Sequence, residues 1–238
     1  MRRALACSAL FAAALAADVS VGAQPGETGL PTVVQRHLET LDHGPSSYRA
    51  FRRLEARNSH LSHAAWMTVW TTADESGFMY EVVEQSGSGY VRDRVFLPAL
   101  EAERKMWGAG PRGAFTSENY TFEDRGAEPT GLAWIGVKPR RNDVLLVNGS
   151  IFLRPDDGDL VRVEGFLSKT PSFWTRKVEV VRRYDRIAGV RVPIALESVA
   201  SVLMIGKASF TMSYEYHSVN GVEVAPDRTP APAAGVSP

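Results

Sequence analysis

Hydrophobic positions change their spacing twice along this chain, and the changes predict its elements. Val33, Val34, His37, Leu38 and Leu41 recur at helical spacing over Thr32–Asp42, and Gly44-Pro45 stops the run. Ser46 or Ser47 can cap a second helix, with Tyr48, Phe51 and Leu54 on one face and Arg49, Arg52, Arg53 and Arg57 on the other. From Trp66 the period falls to two. "WMTVWTTA", the turn "DESG" and "FMYEVVEQ" read as a hairpin in which Trp66, Thr68 and Trp70 alternate, as do Phe78, Tyr80 and Val82. "SGSG" breaks the pattern, and Pro98 opens a helix that runs to about Met106.

Beyond the loop "GAGPRG" the pattern is that of strands alone. It predicts strands at Asn119–Asp124, Leu132–Val137, Val144–Val147, Ser150–Arg154, Leu160–Ser168, Arg176–Tyr184, Val190–Val202 and Ser209–Val219. Asn148-Gly149 and Pro155-Asp156-Asp157-Gly158 read as turns between them. The alternation of Phe210, Met212, Tyr214 and Tyr216 with Ser209, Thr211, Ser213 and Glu215 implies antiparallel strands with one buried and one wetter face. A sheet of about ten such strands must curl or close, and the few helices must cover part of its apolar face. The fold class is therefore α+β, with a large curled antiparallel sheet.

The ends change the picture. Arg2 and Arg3 followed by an apolar stretch from Ala4 to Ala17, then Val21-Gly22-Ala23, form a signal-peptide pattern with cleavage near Ala23. Ala4-Leu5-Ala6-Cys7 has the letters of a lipoprotein box, but it precedes the apolar stretch and belongs to the discarded leader. The organisation expected is a leader over 1–23, a flexible lead over 24–31, one domain over 32–224 and a Pro/Ala-rich disordered tail over 225–238. Cys7 is the one cysteine of 238 residues, so the mature chain holds no disulfide and no thiolate chemistry. Removing the leader leaves 25 basic and 26 acidic residues, a balance with no footprint for nucleic acid. The expected product is an exported, soluble monomer.

Motifs of catalysis and ligation are weak. Ser88 in "EQSGSGY" lacks the glycines of a nucleophile elbow, and no S-x-x-K occurs. His60-x-x-His63 has metal-ligand spacing but no H-E-x-x-H around it and no third ligand. Asp156, Asp157 and Asp159 around Gly158 lack the terminal Glu of a calcium loop. Asn119-Tyr120-Thr121 and Asn148-Gly149-Ser150 match the glycosylation sequon. The basic run Arg176, Lys177, Arg182, Arg183, Arg186 and Arg191 alternates with Val178, Val180 and Tyr184 and reads as a wet sheet face. No catalytic residue, metal ligand or cofactor is assigned.

Four stretches carry a resemblance: "YVRDRVFLPALEAER" (90–104), "WIGVKPRRNDVLLVNGSIFL" (134–153), "VRVEGFLSKTPSFWTRKVEVVRRY" (161–184) and "VPIALESVASVLMIGKASFTMSYEYHSVNG" (192–221). In their order and spacing they resemble the LolA/LolB-like superfamily, especially its secreted outer membrane lipoprotein-sorting branch. The chain departs from that branch at Arg154, where relatives often carry Asp. The resemblance implies an unclosed half-barrel whose concave apolar face, lidded by helices, receives acyl chains, and a non-catalytic carrier of a lipid or acylated lipoprotein. The alternative from the same fold is a module that binds another envelope protein or senses stress. Residues expected to line the cavity are Trp66, Trp70, Phe78, Tyr80, Phe173, Trp174, Phe210, Met212 and Tyr214.

Overall fold

A computed structural model of the chain describes residues 30–40, 44–58, 64–108, 112–171, 175–203 and 206–225. The leader, His60 and His63, the pair Phe173 and Trp174, and the tail from 226 lie outside the described residues. Eleven strands form one antiparallel sheet: β1 (Tyr48–Asn58), β2 (Ala64–Asp74), β3 (Gly77–Gly87), β4 (Tyr120–Ala127), β5 (Ala133–Pro139), β6 (Val147–Leu153), β7 (Leu160–Leu167), β8 (Thr175–Ile187), β9 (Val190–Val202), β10 (Gly206–Val219) and β11 (Val222–Glu223). Their order is β3-β2-β1-β10-β9-β8-β7-β6-β5-β4, with β11 paired to β10. β3 and β4 are the two free edges, so the sheet curls without closing, as the α+β half-barrel reading expects.

The helices are short: α1 (Thr32–Glu39), then α2 (Gly89–Val91), which runs through a π-helical turn at Arg92–Phe96 into α3 (Leu97–Met106). Pro98 follows directly on this π-helical turn, in which the Leu97 N–H reaches back to the carbonyl of Arg92. Among the described residues no helix is long and apolar enough to cross a membrane.

One face of the sheet is apolar and meets the helices. At one end Val91, Phe96 and Leu100 pack on Leu54, Met67, Val69, Phe78, Leu196, Phe210 and Met212. At the other, Val34 of α1 packs among Tyr120, Ile135, Ile151, Leu153, Val163, Val178 and Val180. Two clusters thus share one inner face. Leu30, expected in a flexible lead, packs against the second cluster, and the carbonyl of Pro31 accepts the N–H groups of Val34 and Gln35.

Three expectations are corrected. The segment expected as a second helix is strand β1 (Tyr48–Asn58), with Tyr48, Ala50, Arg52, Leu54 and Ala56 facing inward. Its pairing between β2 and β10 supplies two ladders of backbone hydrogen bonds, which override a local spacing compatible with a helix. Asn148-Gly149 is no turn but part of β6, where Gly149 stands opposite Gly165 of β7. A Cβ on Gly149 would lie 2.1 Å from the carbonyl oxygen of Glu164, so the pair lets two strands approach where side chains would not fit. The predicted strand at Val144–Val147 is a turn that enters β6 only at Val147.

Candidate functional site

Arg52 is the largest fully buried side chain among the described residues, and it lies on the inner face within the cluster beneath α3. β1 carries it inward between Val69 of β2 and Tyr214 of β10. Above it, α3 delivers Glu103, which is 4 % exposed. The guanidinium donates from Nη1 to Glu103 Oε2 at 2.6 Å and from Nη2 to Oε1 at 2.8 Å, a bidentate pair. Tyr48 donates its hydroxyl to Glu103 Oε1 at 3.0 Å and accepts from Arg52 Nη2. Three rings surround the cation, with Tyr214 at 4.6 Å, Phe78 at 5.5 Å and Tyr48 at 5.6 Å from the guanidinium carbon. Burial works against this charge, but Glu103 and Tyr48 outweigh it and hold the Arg52 pKa well above its usual value.

The same burial raises the phenols. Tyr48 and Tyr216 are pushed well above the ordinary tyrosine value, and Tyr214 up to about 12. The Tyr216 hydroxyl donates to the carbonyl of Pro193 at 2.9 Å. At neutral pH these groups are hydrogen-bond donors and apolar walls. None of them is poised to exchange a proton.

A second polar centre lies near α1. Asp159, 4 % exposed, accepts from Arg186 Nη2 at 2.8 Å and Nε at 3.1 Å, from Arg191 Nη1 at 3.5 Å, and from Arg154. Burial pushes its carboxyl up, yet the Arg186 hydrogen bond and the charges of Arg191 and Arg186 win and hold it below the ordinary value. α1 docks on the adjoining turn, where Arg36 donates to the carbonyl of Pro155 at 2.7 Å and His37 Nδ1 meets that of Gly158 at 3.0 Å. That contact requires the His37 proton on Nδ1. Arg154, the departure noted in the sequence, is therefore a partner of this centre.

The residues expected to line a cavity divide. Phe78, Phe210, Met212 and Tyr214 lie on the inner face within the first cluster, and Tyr80 packs at its margin with its hydroxyl donating to Glu101 at 2.8 Å. Phe210 lies beneath Phe96, their centroids 6.1 Å apart. Trp66 and Trp70 occupy the opposite, outer face. Trp70 stands edge-on to Phe51 at 5.2 Å and to His217 at 4.6 Å, with Arg49 over its ring at 4.5 Å. Arg53 covers Trp66 at 4.9 Å.

Between the two clusters the inner face carries two polar groups: Arg182, expected on a wet sheet face and found on the inner one, and Ser198, which sequence reasoning missed. Arg182 of β8 stands opposite Leu196 of β9 and Val163 of β7. Ser198 of β9, opposite Val180 and Phe210, is 3 % exposed and its Oγ has no hydrogen-bond partner. The signal for Arg52 was present as the alternation Tyr48, Ala50, Arg52, Leu54, Ala56. Nothing local marks Ser198.

No protein-family profile matches the chain, and no curated protein does. Among solved structures it is similar to a LolA superfamily protein from Nitrosomonas europaea, with 8 % identity, a TM-score of 0.40 and coverage of 84 % of this chain and 96 % of that one. It is similar to an outer membrane lipoprotein-sorting protein domain from Vibrio parahaemolyticus, with 12 % identity, a TM-score of 0.40 and coverage of 81 % and 91 %. A third likeness is a DUF1329 family protein from Desulfovibrio piger, with 8 % identity, a TM-score of 0.35 and coverage of 77 % and 87 %.

Proposed function

We propose that this chain is an exported, non-catalytic binding protein that holds a lipid or the acyl chain of a lipoprotein against the inner face of its unclosed sheet. The observation that carries this reading is the inner face itself. It is lined mainly by apolar and aromatic side chains, with Arg52, Arg182 and Ser198 among the exceptions, and the helices cover its two ends while leaving half-buried apolar positions beside them. Tyr184, Leu167 and Phe122 border the cluster under α1; Tyr80, Val82 and Trp107 border the one under α3. An acyl chain laid along such positions gains about 0.8 kcal/mol per buried methylene. Some ten methylenes approach about 8 kcal/mol, the scale of a micromolar dissociation constant before ordering costs. Binding of that kind needs no covalent step.

Of the cavity candidates, Tyr80 fits this reading best, since it is half-buried at the margin of the cluster beneath α3. Phe78 and Phe210 meet ligand only where α3 moves off the sheet. Native mass spectrometry of protein purified from an exporting host tests the proposal. The expected result is a co-purifying lipid mass that organic extraction removes, with the delipidated protein then binding a fluorescent acyl chain saturably. A protein that carries no lipid and fails to bind the probe overturns it.

A further inference from the structure

Resting on that reading, we infer that the ligand is a neutral, ester-linked lipid whose ester carbonyl accepts a hydrogen bond from Ser198, at the seam between the two apolar clusters. On β9, Ser198 shares its face with Leu196, which belongs to the cluster beneath α3, and with Ala200, which belongs to the one beneath α1. Its cross-strand neighbours divide in the same way, Phe210 to the first and Val180 to the second. The residue is 3 % exposed, and its Oγ has no hydrogen-bond partner.

Two independent observations favour a ligand at this point. The first is the hydroxyl itself: left unbonded it costs stability, and a bound carbonyl removes that cost. The second is the relief of the inner face. Ser198 lies in a ladder row of mostly small residues, in which Gly149, Gly165, Val180, Ser198, Phe210, Ala56 and Ala65 stand opposite one another in turn. The adjoining row, Val163, Arg182, Leu196, Met212, Leu54 and Met67, is made of large side chains throughout. The small row is therefore a step down beside a ridge. It crosses seven strands from β6 to β2, with Ser198 on the fourth, and six intervals of about 4.8 Å give it a length of about 29 Å. A chain leaving Ser198 toward β6 crosses Val180 and then two glycines. Toward β2 it meets Phe210, on which Phe96 rests at 6.1 Å, so that direction opens only as α3 moves.

The chemistry of the head follows from the donor on offer. Arg52 is engaged by Glu103, and Arg182 has a partner of its own. What the seam adds is a neutral donor, the Ser198 hydroxyl. A carboxylate or phosphate placed there exchanges its hydration for one hydrogen bond, whereas an ester carbonyl needs no more than one.

The experiment uses delipidated full-length mature protein at pH 7.5 and three fluorescent probes: cis-parinaric acid methyl ester, the free acid, and the hydrocarbon diphenylhexatriene. The ester is expected to bind more tightly than the ionised acid. Ser198→Ala is expected to weaken ester binding about fivefold, the share of one hydrogen bond, while diphenylhexatriene binding stays within about twofold. In urea the empty Ser198→Ala protein should be at least as stable as the wild type, which a hydroxyl bonded within the protein would not allow. Competition then separates the two sources of an ester: displacement by dioleoylglycerol alone marks a free lipid, and displacement by a diacylated lipopeptide as well marks a site open to lipoproteins. An acid that binds more tightly than the ester, an ester affinity unchanged in Ser198→Ala, or a Ser198→Ala protein less stable than the wild type overturns the inference while leaving lipid binding intact. Binding of no probe by the wild type overturns both.

Discussion

Arg52 shows how much one side chain can settle. A guanidinium withdrawn wholly from water is tolerable only while Glu103 and Tyr48 satisfy it, so the sheet and α3 are tied by a contact that neither can lose alone. Glu103→Gln leaves that cation uncompensated, and Arg52→Met leaves the carboxylate so. Each single variant is expected to lose about 3–5 kcal/mol of unfolding free energy in urea titrations. The double variant Arg52→Met with Glu103→Leu should recover most of the loss, because an apolar pair of similar volume avoids the desolvation. Single variants within about 1 kcal/mol of the wild type would show that the pair is not buried as described. Asp159 makes a different prediction. Its folded-state pKa lies below the unfolded value of about 3.9, so its contribution is present above that pH and is lost as pH falls through the folded value. Asp159→Asn is expected to be less stable than the wild type at pH 7 by about 2 kcal/mol. Denaturation curves collected from pH 7 downward should converge below pH 4. A gap that stays constant across that range would exclude Asp159 as an ionised centre.

At the scale of elements, the tolerances are set by backbone approach. Gly158 holds φ at +72°, and a Cβ there would lie 2.6 Å from the backbone nitrogen of His37, so α1 rests directly on this glycine. Gly165 would bring its Cβ to 2.4 Å from the carbonyl oxygen of Asn148. Gly165→Ala must therefore spread β6 from β7, and is expected to cost about 1–3 kcal/mol by thermal or urea unfolding. A neutral result would mean that the two strands separate freely. This pair also explains why Asn148-Gly149 misleads. The dipeptide has hairpin chemistry, but its glycine serves a partner strand distant in sequence, which no local pattern reports. The long strands β9 and β10 were legible because their inward positions are apolar or aromatic except for Ser198. β1 was not, because an arginine holds an inward position and Phe51 an outward one, and the residues left over fall at helical spacing. Trp66 and Trp70 invert the usual rule in the same way: small residues and Met67 fill the inner row of β2, while the tryptophans lie outside under Arg53 and Arg49. Alternation gave the strand but not which of its faces is inner. The candidate site was partly readable for that reason, since its aromatic wall follows the pattern and its polar centres break it.

For the molecule as a whole, an unclosed sheet has two edges that must not pair with another copy. Both carry devices against it. In β4 the ladder to β5 breaks between Asp124 and Ala127, with Gly126 at φ +89° and Asp124 and Arg125 exposed. In β3 the register to β2 shifts so that Val83 is the extra residue, flanked by the exposed carboxylates of Glu81 and Glu84. Met79 and Val83, each 54 % exposed, make this edge the stickier one. The carboxylates therefore carry most of the protection there, by setting like charges against each other in any edge-to-edge copy. Glu81→Val with Glu84→Val removes them without touching the inner face. Its unfolding free energy is expected to stay within about 0.5 kcal/mol of the wild type. Its behaviour in solution should not stay the same: light scattering during size-exclusion chromatography should show a larger mass than the wild type gives at the same concentration. If the variant has the same mass as the wild type, the bulge alone guards the edge, and the charges on β3 serve some other purpose.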